Sequence, residues 1–245
     1  MEIGVSIGPH VDQIEDISPE FDFVELSVGE GDTRLRDIDR KELQEILDEK
    51  GFGIVIHLPF LQNLVTDVDI FNNAVIDYME NLIDFASEIG AMKTVAHVDT
   101  RNYLMDKRTR IREQIEDMHE LGVMRDIEVC FENAGNFGMI RPIELADLVE
   151  EVGAKMCFDT GHMYAFHGQD MSETFLLEMQ EMISHLHVSD TRKEQDLHLP
   201  PGCGEIDFES LLGHLEDFEG SVTLELKVDD NDYRDLAREK LLDWL

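Results

Sequence analysis

"RPIELADLVEEVGAKMCFDTGH", running from Arg141 to His162, carries a helix, a strand and a chemical end-point in one short stretch. Pro142 stands at a first-turn position, where its fixed φ suits a helix and its missing N–H costs nothing. Apolar residues then recur at helical spacing until Gly153, a natural helix stop. "KMCFD" follows at 155–159, short and apolar, and reads as a strand. The strand ends on Asp159. His162 lies three residues on, with Gly161 allowing a tight turn between them.

The same rhythm extends in both directions. Strand-like runs recur as "EIGVSIG" at 2–8, "FDFVELSV" at 21–28, "GFGIVIH" at 51–57 and "KTVAHV" at 93–98. "IEVCFE" at 127–132, "SHLHV" at 184–188 and "SVTLEL" at 221–226 continue the series. Helix-period stretches fill most of the gaps. "DIDRKELQEILDEKG" runs from Asp37 to its stop at Gly51, and the stretch 69–90 places Ile70, Ala74, Ile76, Leu82, Ile83, Phe85 and Ala86 largely on one stripe. Eight strands alternating with helices over this length is the pattern of an α/β protein closed into a (β/α)8 TIM barrel. A doubly wound open sheet would want a Gly-rich phosphate turn after the first strand, and only Gly8-Pro9-His10 stands there. With no linker, repeat or low-complexity segment, residues 1–245 are expected to form one domain.

Composition narrows the setting. A hydrophobic fraction of 42% beside 31% charged residues belongs to a folded chain rather than a disordered one. The 55 Asp and Glu against 20 Lys and Arg give a formal charge of -35, spread along the whole length. Such self-repulsion weakens a compact state at ordinary ionic strength, and screening over about 3 Å at 1 M salt relieves it. The charge is therefore read as adaptation to a salt-rich cytoplasm. It also argues against a broad nucleic-acid footprint, which needs clustered Lys and Arg. The amino terminus lacks a basic segment followed by an apolar one, and no apolar run is long enough to span a membrane. A cytoplasmic protein is expected. Cys130, Cys157 and Cys203 have no Cys-x-x-Cys spacing, and the first two read as buried thiols.

The ionisable residues fall at strand ends. His57 ends the third run, His97 sits near the end of the fourth, Glu132 ends the fifth and Asp159 the sixth. His187 and Glu225 lie near the ends of the seventh and eighth. Parallel barrel strands bring all six to the carboxyl-terminal mouth, where such folds hold their active sites. Burying six such groups without partners is costly, and a shared divalent metal offsets that cost. Nitrogen and oxygen donors suit Zn, Mn, Co or Mg. Cys130 and Cys157 precede Glu132 and Asp159 by two, so strand alternation puts them on the same inward face as packing beneath the site. Asp196 and His198 form an Asp-x-His pair that can offer two further ligands.

With these residues in place, the chain resembles the xylose isomerase-like TIM barrel superfamily, which holds sugar isomerases, epimerases and endonuclease IV. The likeness spans nearly the whole chain. It rests on "HLPFLQNL" (57–64), "AHVDT" (96–100), "FEN" (131–133), "FDTGH" (158–162), "HVSD" (187–190), "DLHLPPGCGEIDF" (196–208) and "LELK" (224–227). It implies either of two chemistries. In the sugar isomerase/epimerase pattern, Glu132, Asp159, His187 and Glu225 hold one divalent ion, and Glu132 and Glu225 exchange a proton beside a carbonyl through an enediolate. His162 contacts substrate there, with Lys193 or Arg192 near the family's basic contact. The substrate is a small keto-sugar or sugar phosphate. In the endonuclease IV pattern, up to three Zn are held: one by His57, His97 and Glu132, a second by Glu132, Asp159, His187 and Glu225, a third by His162, Asp196 and His198. The partner is then DNA at an abasic site.

The sugar pattern is the leading expectation. The chain has little room for DNA-penetrating loops, its mouth is poor in Lys and Arg, and Phe60 stands where the endonuclease motif usually has Tyr. "HLPFLQNL" is nonetheless close to the endonuclease form. A non-catalytic metal- or sugar-binding barrel is the third possibility, disfavoured because both glutamates are present. Glu25, ending the second run, is expected to contact substrate, brace a histidine or form a surface salt bridge. His185 reads as a satisfied core residue, His119, His167 and His214 as solvent-facing, and His10 has no assigned role. The segment 227–235 reads as a solvated acidic loop starting the last helix.

Overall fold

The structure is a computed structural model that describes residues 1–29, 33–60, 62–98, 106–134, 140–215, 218–228 and 230–245. Leu61 of "HLPFLQNL", Asp99 and Thr100 of "AHVDT", and Asp229 of the acidic loop lie outside the described residues. In chain order the strands are β1 (Glu2–Gly8), β2 (Phe23–Ser27), β3 (Gly53–His57), β4 (Lys93–Ala96), β5 (Glu128–Glu132), β6 (Lys155–Asp159), β7 (Ile183–Val188), β8 (Asp190–Arg192), β9 (Gln195–Leu199) and β10 (Ser221–Leu224). Strands β1 to β7 and β10 close into a parallel barrel, with β1 pairing to both β2 and β10. Strands β8 and β9 form a separate antiparallel hairpin. The expected (β/α)8 barrel is the observed fold.

The helices are α1 (Arg40–Lys50), α2 (Asp69–Glu88), α3 (Lys107–Met124), α4 (Pro142–Val152), α5 (Thr160–His167), α6 (Gln169–Met179), α7 (Phe208–Leu212) and α8 (Asn231–Leu242). Local chemistry fixes their ends. The Asp39 carboxylate accepts the Lys41 and Glu42 N–H groups at the start of α1. Pro142 opens α4, and Gly153 closes it at φ 79°. After β1 the described chain makes only a 3-10 turn, Val11–Asp16, in place of a full helix.

The stripe expected on α2 holds for Leu82, Ile83, Phe85 and Ala86, which are buried together with Met79. It fails at the first turn, where Ile70 is 72% exposed and Ala74 faces solvent. The buried face of α2 begins only at Met79. Gly161 also has a different role from the one expected. Helix α5 starts directly after Asp159, and a Cβ on Gly161 would lie 2.5 Å from the Ser189 hydroxyl oxygen. Close approach, rather than a turn, requires the glycine.

Strand alternation sorts the core. Outward apolar residues pack under the helices, and a separate inner cluster of Phe23, Val55, Val95, Cys130 and Cys157 fills the barrel. Phe23 makes the floor. Its ring occupies space that a Cβ on Gly4 would enter at 2.3 Å, so the neighbouring strand is bare at that point. Both inner cysteines are buried, as expected.

Candidate metal centre

The next inward layer toward the strand ends is polar, and this is where the expected ligands meet. His57, Glu132 and Asp159 end their strands, His187 lies one residue inside the end of β7, and His97 and Glu225 lie one residue beyond β4 and β10. Glu132 is the hub. One of its oxygens lies 3.4 Å from His57 Nε2, 3.0 Å from His97 Nε2 and 3.3 Å from His187 Nδ1. The other lies 3.0 Å from His162 Nδ1. His187 Nδ1 is 3.4 Å from Glu225 and 3.9 Å from Asp159. Across the mouth, His198 Nε2 is 3.0 Å from Asp196, whose second oxygen is 3.7 Å from His162 Nε2.

These atoms form three groups able to hold a metal: His57, His97 and Glu132; Glu132, Asp159, His187 and Glu225; and His162, Asp196 and His198. All nine expected ligands are present in them. Within each group the candidate ligand atoms lie within 4.8 Å of one another. Glu132 belongs to two groups, so they make one connected field.

Fit to a cation is carried by the buried atoms that lack a hydrogen-bond partner among the described residues. Those facing the field include both Glu132 oxygens, Asp159 Oδ2, His162 Nδ1, His187 Nδ1 and Glu225 Oε2. Buried polar atoms are nearly always paired, and so many exceptions in one place need a cause. Several approach each other closely without hydrogen-bond alignment, as lone pairs aimed at a common point do. Divalent ions satisfy the set, and the N/O donors suit Zn, Mn, Co or Mg.

A deeper tier orients the ligands. His57 Nδ1 lies 3.0 Å from the Leu58 carbonyl, an arrangement in which that nitrogen donates and Nε2 faces the centre. Glu25 is wholly buried beneath His187, with one oxygen 3.0 Å from its Nε2, which leaves Nδ1 for a metal. The other Glu25 oxygen accepts the Thr223 hydroxyl at 2.5 Å and lies 3.2 Å from His185 Nε2. Of the roles expected for Glu25, this is the bracing one, and its burial excludes the surface salt bridge. His185 completes its bonds with Ser221 at 2.7 Å, a satisfied core histidine as expected.

Without a metal the field balances its own charge. Burial opposes ionisation of Glu132, but the charges of His97 and His187 and the close imidazole nitrogens of His162 and His187 outweigh it and hold the carboxyl well below its usual range. Burial opposes ionisation of Glu225 as well, and His187 brings it down to about 2. Asp159 goes the other way, raised to about 7 by burial and by the nearby Glu132 and Glu225 charges, against the pull of His162. His162 and His187 are held well above the ordinary histidine value by facing anions that outweigh burial. Burial lowers His185 to about 4.

Arg192 and Lys193 stand at the exposed tip of the β8–β9 hairpin, which rests on α5 through the Glu194 N–H to the Ala165 carbonyl, and neither belongs to a ligand group. His10, His167 and His214 are exposed and His119 is half-buried.

Three positioning residues were invisible as such in the sequence. The Asp190 carboxylate is buried and accepts N–H groups from Thr191, Gly202, Gly204 and Ile206, folding the loop that carries Asp196 and His198. The Asn133 side chain clamps the Asp159 backbone through both its N–H and carbonyl, at 2.9 and 3.0 Å. Asn63 donates to the His97 carbonyl and accepts from Gln114. Their motifs "HVSD", "FEN" and "HLPFLQNL" were the available signal. A larger cavity of about 870 Å³ opens at the other end of the barrel beside Lys93, Lys155 and Ser184, and contains none of the ligands.

A closed parallel barrel with a histidine–carboxylate field at the carboxyl ends of its strands defines the class: a (β/α)8 barrel whose strand-end residues could hold divalent ions. A family model described as "Xylose isomerase-like TIM barrel" matches residues 12–245, and the chain belongs to that family. It is 23% identical over 259 aligned residues to an uncharacterised protein of Methanocaldococcus jannaschii, covering all of both chains. It is 26% identical over 197 residues to a probable endonuclease 4 of Mycobacterium ulcerans, covering 73% of this chain and 75% of the relative. Solved structures with the same fold include sugar epimerases. A D-tagatose 3-epimerase-like protein superposes with a TM-score of 0.81 at 23% identity, covering 100% of this chain and 97% of the other. Likeness at that identity establishes the fold.

Proposed function

We propose that this protein is a divalent-metal-dependent sugar isomerase or epimerase. The observation that carries the reading is the quartet of Glu132, Asp159, His187 and Glu225, in which two glutamates share one candidate ion position. A bound ion supplies Lewis acidity to substrate oxygens. Glu132 and Glu225 remove and return a proton at the carbon beside a carbonyl, one from each side of the sugar, as positioned general base and acid. Asp159 and His187 hold the ion and the two glutamates in register, and Glu25 fixes the ring of His187. His162, with Asp196 beyond it, meets the substrate's hydroxyl groups at the mouth.

Two further observations support a small substrate. The chain accounts for nearly the full length of the epimerase-like structure, but for three-quarters of the endonuclease relative. The side chains of the ligand field are all His, Asp or Glu, a poor landing surface for a phosphodiester backbone. The test is exchange of solvent deuterium into a panel of ketoses by the metal-loaded protein. Exchange is expected in the native chain and its loss, by at least 100-fold, in Glu132→Gln and Glu225→Gln variants of native circular dichroism. Undiminished exchange in both variants would sink the acid/base assignment.

One observation favours a second reading, hydrolysis of DNA at abasic sites. Nine ligands in three connected groups are more than one ion needs. The four carboxylates among them are overcompensated by three divalent ions, leaving positive charge for an anionic substrate. That reading expects close to three zinc ions per chain and nicking of an abasic duplex at high salt. One ion per chain without nicking removes it.

A further inference from the structure

A pocket of about 260 Å³ opens off the metal centre between β1 and β10, sharing His198 and Glu225 with the ligand field. Its lining also includes Ser6, His10, Gln13, Lys227 and Arg234. This lining inverts the chain's composition. In a protein with 55 acidic and 20 basic residues, two cations meet a single carboxylate here, and that carboxylate, Glu225, is committed to the metal field. Arg234 is 5% exposed, and its guanidinium donates to Asn231 Oδ1 at 3.0 Å and to Gln13 Oε1 at 3.1 Å, bonds that hold it in one orientation. The Lys227 N–H donates to the His198 carbonyl at 3.0 Å, which ties the pocket wall to the ligand-bearing loop.

We infer that this pocket binds the phosphate of a phosphorylated open-chain sugar whose carbonyl end lies at the metal centre. The inference rests on the sugar reading and narrows its substrate class. A planar guanidinium and a lysine ammonium are the usual partners of a phosphate monoester, and the Ser6 hydroxyl and the Gln13 amide supply neutral donors. The pocket is too small for a nucleic-acid strand. It is contiguous with the Glu225 side of the centre, so one short ligand reaches both.

The test is calorimetric binding of fructose 6-phosphate, fructose and the keto-acid fructuronate to the metal-loaded full-length protein, in chloride salts. Fructose 6-phosphate is expected to bind at least tenfold more tightly than fructose. That ratio should collapse toward one in Lys227→Gln, a surface change that the fold tolerates, and in Arg234→Gln where circular dichroism is native. Equal affinities in the native chain overturn the inference. So does a phosphate preference that survives both substitutions, because the phosphate then sits on the ions. Preference for the keto-acid over the phosphate overturns the choice of anion. Absence of deuterium exchange on every ketose is the separate failure of the isomerase reading, and the binding ratio does not depend on it.

Discussion

Glu25 lies beneath the three ligand groups and touches them through His187. It is fully buried, and against the cost of burial the charge of His187, with bonds from His185 and His187, holds its carboxyl well below the usual range; the Thr223 hydroxyl also donates to it. Carboxylates placed this way fix the ring and raise the basicity of a metal-binding histidine, and their loss costs about 10- to 100-fold in metal affinity. Glu25→Gln is therefore expected to weaken metal binding by about that factor with native secondary structure, as read by competition with a chromogenic chelator. Unchanged metal affinity would leave Glu25 as core packing only. At this scale much of the centre was legible from the linear chain. Strand period fixes which residues face inward, so an acidic or imidazole residue at each strand end announces itself. Asp190, Asn133 and Asn63 were not legible in their roles, because they act on backbone groups of distant segments and no spacing encodes such partners.

The β8–β9 hairpin is the element that turns a strand-end cluster into an enclosed centre. It replaces the first part of a helical crossover and returns Asp196 and His198 over the mouth. Its sequence, rich in charge and closed by Pro200, Pro201 and glycines, read as a wall of the site, but the strand pairing within it gave no periodic signal over so few residues. Asp190 holds the loop by four backbone N–H bonds. Asp190→Ala strands those donors in a buried position, at about 1–3 kcal/mol for each one that finds no water. The expected result is a loss of about 3 kcal/mol or more in denaturant unfolding, together with weaker binding of any ion at His162, Asp196 and His198. A variant as stable as the native chain would mean that the loop is held from elsewhere. The early turn of α2 shows the opposite failure of sequence reading: its pattern was apolar and helical, but Ile70 and Ala74 are exposed and the buried face begins only at Met79.

For the molecule as a whole, the buried ligand field couples fold stability to pH. Glu25, Glu132 and Glu225 are depressed below 4.5, so they add stability above that value and lose it as pH falls through their folded values. Asp159 is raised from 3.8 to about 7, so its contribution is present in acid and disappears as pH climbs through about 7. His162 and His187, raised as histidines, likewise lose their contribution on the alkaline side. Divalent ions remove the alkaline loss, because the ligands they need are the deprotonated ones. Metal addition should therefore raise the melting temperature more at pH 8 than at pH 6, as followed by calorimetry. Equal gains at both would show that the field is not held by ions.

Phe23 has a consequence of its own. Its ring packs against Gly4 of the neighbouring strand and, with Val55, Val95, Cys130 and Cys157, fills the barrel interior beneath the strand-end residues. On the proposed isomerase reading, an ion and a sugar would both enter from the strand-end side, the ion first. Saturating substrate is then expected to slow the loss of metal to an added chelator.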